Sequence, residues 1–133
     1  MKKVFPAKLE ELDNVLAFVD MELDATGCSP KTKVSLNVAL EELFVNIVHY
    51  AYPDSEGMAE VEVLTGDGRC ISVVLSDSGV KFDPLERSDP DTTLGVDERA
   101  IGGLGIFMVK KLMDEVCYDY IDGKNVITMK KKF

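Results

Sequence analysis

Glu42 and Asn46 stand four residues apart in the stretch VALEELFVNIVHYAY. On a helix that spacing stacks a carboxylate and a carboxamide on one face, about one turn apart. An Asn offers a carbonyl oxygen suited to Mg²⁺, and a Glu beside it can steer a water or a hydroxyl. The plainer alternative is a polar stripe facing solvent, with Leu40, Leu43, Phe44, Ile47 and Val48 burying the other side. Asp77-Ser78-Gly79 follows an apolar run. A carboxylate there could accept from an exocyclic amine such as adenine's, and it repels the carbonyl oxygen that guanine carries at the same place. Gly79 would let the backbone come close to a flat base. The same residues also suit a simple turn in which Asp bonds its own backbone. Gly103-Leu104-Gly105 opens a helical stretch, where backbone N–H groups and the helix dipole favour phosphate oxygens. The Lys-Ser/Thr of a Walker A loop is missing, so this is no P-loop, and a glycine turn without a ligand is the other reading.

Positioning these groups takes a defined set of elements. Lys2–Phe5 is a short β-like start that Pro6 ends. Leu9, Leu12, Val15, Leu16, Val19 and Leu23 recur at helical spacing, with Glu10, Asp13, Asp20 and Asp24 on the opposite side, until Gly27 stops the helix. Ser29 is a good N-cap and Pro30 a good first helical residue, so a second helix is expected from about Lys31 to Ala51. The period then changes to two. Ala59, Val61 and Val63 alternate with Glu60 and Glu62, Gly66-Asp67-Gly68 turns the chain, and Cys70–Leu75 is the hairpin partner. Val80–Ile101, with Pro84, Pro90 and Gly95, keeps no period, and an irregular segment of that length is more often functional than idle. A third helix over Ile106–Met113 precedes a second hairpin, Val116–Ile121 and Asn125–Lys132, around Asp122-Gly123.

With 133 residues and 46% hydrophobic content, the chain suits one domain over residues 1–133. Fifteen Lys and Arg against 24 Asp and Glu give a net charge of -9. That field opposes nucleic acid or anionic lipid as a primary partner. Cys28, Cys70 and Cys117 are odd in number and widely spaced, as expected of reduced thiols. No apolar run suits a signal peptide or a membrane span, so a cytoplasmic location is expected.

Taken in order, E-x-x-x-N on a helix, D-x-G after a strand and G-x-G at a helix start resemble the Bergerat-fold ATPases, the superfamily of gyrase, Hsp90, histidine kinases and MutL. Within it, Asp77-Ser-Gly-Val-Lys-Phe-Asp-Pro84 and Gly103-Leu-Gly-Ile-Phe-Met-Val-Lys-Lys-Leu-Met-Asp114 are similar to the bacterial anti-sigma factor serine kinases and their stand-alone relatives. The resemblance implies an α/β (α+β) two-layer sandwich, a mixed and largely antiparallel sheet with helices on one face, and ATP or ADP with Mg²⁺ under a lid formed by the irregular segment. By the same resemblance Asn46 is the Mg²⁺ ligand and Glu42 the catalytic base. Asp77 is the acceptor for the adenine amine, Gly79 lies beside the base, and Gly103, Leu104 and Gly105 form the phosphate turn. Thr128 backs the adenine contact through water, and Arg99 reaches the phosphates from the lid. The implied activity is a protein-serine kinase that phosphorylates a small antagonist protein and sequesters a sigma factor, with a homodimer allowed. An ATP-gated binding module without kinase activity is the alternative. His49, the only histidine, is expected as a pocket or packing residue. One departure stands out: Lys8–Asp24 contains six acids and no arginine, where sigma-binding members commonly carry one.

Overall fold

The computed structural model describes residues 1–66, 69–86 and 103–132, with the backbone alone for Glu86, Gly103 and Leu104. Among them the order is strand β1 (Lys2–Pro6), helices α1 (Leu12–Asp24) and α2 (Pro30–Tyr50), strands β2 (Met58–Thr65) and β3 (Cys70–Asp77), helix α3 (Gly103–Leu112), and strands β4 (Glu115–Ile121) and β5 (Lys124–Lys132). Single 3₁₀ turns occupy Leu9–Glu11 and Pro84–Glu86. The first expected helix thus starts as a tight turn. Lys8, at its N-cap, has no side-chain acceptor to satisfy the opening amides. The second helix has that acceptor: the Thr32 N–H donates to the Ser29 hydroxyl at 3.2 Å, and Pro30 fills the first turn. Gly27 ends the α1 connection at φ 75, a backbone region that suits glycine.

The five strands form one sheet in the order β1-β2-β3-β5-β4, and every described pairing is antiparallel. The parallel neighbours that a mixed sheet would contain are absent among the described residues. β3 and β4 both run antiparallel to β5 and so run parallel to each other, but β5 lies between them and takes their hydrogen bonds. The β4–β5 hairpin turns at Asp122 (φ 52) and Gly123 (φ 78), two left-handed residues that match the twist of the strands they join.

Period-two alternation aims one side of the sheet at the helices. Ala59, Val61 and Val63, then Ile71, Val73, Leu75 and Asp77, then Asn125, Ile127 and Met129 are all buried. Their registers align across the sheet: Val61 with Leu75 and Leu75 with Ile127, and at the site end Ala59 with Asp77 and Asp77 with Asn125. α2 packs against α1, α3 and β3, with Leu36, Leu40, Leu43 and Phe44 fully covered. Each such side chain contributes about 1.5–3 kcal/mol on burial. That margin lets α2 also carry a buried polar residue, Asn46. Among the described residues no helix is long and apolar enough to cross a membrane.

Candidate functional site

A cleft opens between the C-terminal half of α2, the ends of β3 and β5, and the chain that leaves β3. Leu43, Asn46, Ile47, Asp77, Phe82 and Asn125 are among its lining residues, and its empty space, including the open mouth, is about 380 Å³. Its largely apolar wall with a few convergent polar groups suits a small-molecule site.

Asp77 reaches the cleft because it continues the inward parity of Ile71, Val73 and Leu75. The residue is 7% exposed. Two donors converge on Oδ1: the Gly79 backbone N–H at 2.9 Å and the Asn125 amide at 2.9 Å. The bond from Gly79 is the turn that the sequence allowed, with Asp77 bonding its own backbone two residues on. Asp77 also lines the cleft. Gly79 is needed for a packing reason. A β-carbon there would overlap the carbonyl oxygen of Ala51, the C-cap of α2, which accepts the Val80 N–H at 2.8 Å. The Tyr52 hydroxyl donates to the Met58 carbonyl at 2.7 Å and accepts the Ser78 N–H at 2.9 Å. The end of α2, the start of β2 and the end of β3 are joined at that one oxygen.

Asn46 is 8% exposed, and its amide nitrogen is buried without a hydrogen-bond partner. Leaving such a group unpaired costs about 1–3 kcal/mol, so a ligand that pairs with the amide is favoured. Turning the amide presents its oxygen instead, a ligand type that Mg²⁺ accepts. No cluster of three or more His, Cys, Asp or Glu among the described residues could hold a metal alone. The donor set at Asn46 thus fits Mg²⁺ carried by phosphates and water, which is how this ion is commonly held.

Glu42 lies one turn before Asn46 on α2 and is half-buried. Its carboxylate rests directly on Gly105, in the first turn of α3, where a β-carbon would collide with it. Burial pushes the Glu42 carboxyl above its usual range. Neighbouring Glu41 adds to the rise and His49 opposes it. The stretch Gly103-Leu104-Gly105 lies inside α3, which begins three residues earlier than its apolar period suggested.

Other expected positions fall elsewhere. Thr128 pairs with Val74 and Cys117 on the opposite face of the sheet and does not line the cleft. Its parity is the reverse of buried Ile127 and Met129, so it cannot back an adenine contact here. His49 is exposed and meets Tyr50 edge-on, a surface position and not a pocket one. Arg99, and the part of the expected lid from residue 87 to 101, lie outside the described residues. Asn125 was missed as a site residue, although its parity with Ile127 and Met129 marks it as inward-facing. Phe82 and Pro84, also missed, add apolar wall and come from the start of the irregular segment.

Comparison with known proteins adds to this geometry. The family described as the histidine kinase-like ATPase domain matches residues 5–131. The chain is 34% identical over 109 residues to the serine-protein kinase RsbW of Listeria monocytogenes, covering 78% of this chain and 69% of that one. It is 30% identical over 134 residues to RsbW of Bacillus licheniformis, covering 95% and 81%. The serine/threonine-protein kinase BtrW of Bordetella bronchiseptica is 26% identical over 101 residues, with 76% and 71% covered. Among solved structures, the RsbU and RsbW domains of a Mycobacterium tuberculosis protein superpose with a TM-score of 0.65 at 16% identity, covering 99% of this chain and 32% of that one. The histidine kinase domain of a blue-light-activated kinase from Erythrobacter litoralis gives 0.58 at 15% identity, covering 77% and 45%. This chain thus spans less than half the length of those two solved chains, and at such identity they show the fold.

Proposed function

The chain belongs to the histidine kinase-like ATPase domain family, and from that premise we propose that it is an anti-sigma factor protein-serine kinase using Mg·ATP in the cleft beside α2. The observation that carries the reading is the Asp77 carboxylate. Its Oδ1 is held by Gly79 and Asn125, and Asp77 lines a cleft that Asn46 also lines. Asp77 accepts the adenine N6 amine, with Gly79 beside the ring. Asn46 offers its amide oxygen to Mg²⁺, which when bound neutralises charge on the phosphates. The backbone of Gly103, Leu104 and Gly105 at the α3 N-terminus receives the phosphate oxygens.

Glu42 takes the proton of a partner serine as its oxygen bonds to the γ-phosphorus and the bond to ADP breaks. A base works best with a pKa near the working pH, and burial moves the Glu42 carboxyl in that direction. The rest of such catalysis is positioning and charge neutralisation. The phosphoserine product gains about -1.5 to -2 charges at pH 7. This chain, at -9, repels it, which is a basis for exchanging the phosphorylated antagonist for a sigma factor in the cytoplasm.

The test has two arms. Titration with Mg·ATP, Mg·ADP and Mg·GTP should show adenine nucleotides favoured by about tenfold or more, the worth of one matched buried polar contact. Equal affinity for ATP and GTP removes Asp77 from its role. Radiolabelled ATP with candidate serine antagonists from the same source should then label a partner. A partner that binds under ATP control and is never labelled leaves an ATP-gated binding module in place of the kinase.

A further inference from the structure

Asn125 is 5% exposed, and its side-chain amide makes four hydrogen bonds, as many as an Asn side chain can. Its nitrogen donates to Asp77 Oδ1 at 2.9 Å and to the Val80 carbonyl at 2.9 Å. Its oxygen accepts from the Phe82 backbone N–H at 3.0 Å and from the Tyr118 hydroxyl at 2.5 Å. Two acceptors face the nitrogen and the Phe82 N–H faces the oxygen, so turning the amide over would set like against like at three of the four contacts, the Tyr118 hydroxyl alone being able to adapt. The orientation is locked. With no capacity left, Asn125 cannot itself bond a ligand even though it lines the cleft.

It can act through what it holds. The bond to Oδ1, with that from Gly79, fixes the orientation of the Asp77 carboxylate at the cleft. The bonds to Val80 and Phe82 fix the wall where the chain leaves β3, and Val80, Phe82 and Asp77 all line the cleft. Tyr118, which does not line it, holds Asn125 from β4.

We propose that Asn125 is a specificity-determining positioning residue, which sets the base preference of the nucleotide site by orienting Asp77 and the Val80–Phe82 wall together. The inference rests on the reading of the cleft as an adenine site and adds to it a residue that touches no ligand. It predicts that discrimination between bases, beyond affinity, depends on Asn125 and, more weakly, on Tyr118.

Asn125→Asp tests this most directly, because it keeps the acceptors for Phe82 and Tyr118 and turns the two donors into oxygens facing Asp77 and Val80. Affinity for Mg·ATP should fall on the order of 10- to 100-fold, and the preference over Mg·GTP should shrink. Tyr118→Phe removes one donor from outside the cleft and should move both quantities the same way by a few fold. A purely structural loss lowers the binding of both nucleotides equally and leaves their ratio unchanged. The decisive readout is therefore the ATP-to-GTP affinity ratio in folded protein. If Asn125→Asp does not fold, Tyr118→Phe decides. An unchanged ratio in the folded variants, with an unaltered protein that prefers ATP, overturns the inference and leaves the adenine site standing. An unaltered protein with no adenine preference overturns both.

Discussion

The two ends of the cleft are built on opposite principles. Around Asp77, polar groups are paired: Gly79, Asn125, Val80, Phe82, Tyr118, Tyr52 and Ser78 exchange hydrogen bonds between 2.5 and 3.0 Å. One turn or two back along α2 the pairing stops. Asn46 keeps a buried nitrogen without a partner, and Glu42 holds a carboxyl against Gly105 with its pKa raised by burial. Pairing lowers energy and fixes geometry, which suits recognition of one base. Unspent polar groups cost energy in the free protein and return it only when something arrives, which suits chemistry on phosphates. On the proposed function, the fold thus finishes its reading end and leaves its reacting end incomplete.

That contrast can be broken by substitution. The largest effect expected is Glu42→Gln, which should lower phosphoryl transfer to a bound partner by about 10²- to 10⁴-fold and leave nucleotide affinity nearly intact. Transfer at the normal rate would show that the reacting end does not depend on this carboxylate. Next come the two glycines. At Gly79 an added methyl meets backbone, the Ala51 carbonyl, and neither side can yield. Gly79→Ala should cost about 1–3 kcal/mol of stability, visible as a lowered melting temperature. At Gly105 the nearest atoms that the methyl meets belong to the end of a flexible side chain, Glu42. Gly105→Ala should melt close to the unaltered protein and still lose transfer, because the base is displaced. If Gly105→Ala proves the less stable of the two, the contrast between a finished and an unfinished end is wrong.

The smallest effect concerns pH. Glu42 has a raised carboxyl pKa in the folded protein, so its ionised form is disfavoured there relative to the unfolded chain. The folded state then holds the proton longer, and stability from this group falls as pH rises from the ordinary carboxylate pKa through the raised one. Glu42→Gln should therefore melt at or slightly above the unaltered protein at neutral pH, with the advantage vanishing in acid. Thermal melts across that range check the sign. A variant less stable at neutral pH than in acid, relative to the unaltered protein, would mean that Glu42 has a charged partner stabilising it.

Much of this was legible before any coordinates. The Ser29-Pro30 start of α2 and the alternations in β2 and β3 follow from local rules, and Asp77 inherits its direction from Leu75 two residues earlier. Thr128 and Asn125 show where reading stopped. Thr128 comes from the family resemblance, whereas Asn125 enters only as the first residue of the last strand. Parity separates them, since Ile127 and Met129 must face the core. What parity cannot supply is which residues meet across strands 48 positions apart, as Asp77 and Asn125 do. The contact between Glu42 and Gly105 was hidden for the same reason: it depends on how α3 lies on α2, which no local pattern encodes.

The insertion of β5 between β3 and β4 also has a consequence for the order of assembly. β5 is the last of the eight described elements to leave the ribosome, yet it is an inner strand of the sheet and carries Asn125. Until it arrives, β3 has one unpaired edge and β4 no partner on either side. A nascent chain can gather α1, α2 and the β1–β2–β3 sheet around a partial core, and the cleft is still missing a wall. Long-range strand pairing of this kind is slow relative to local hairpins and helices. The cleft is therefore complete only once β5 has joined the sheet, and a chain stopped short of β5 presents an open strand edge, a template for aggregation.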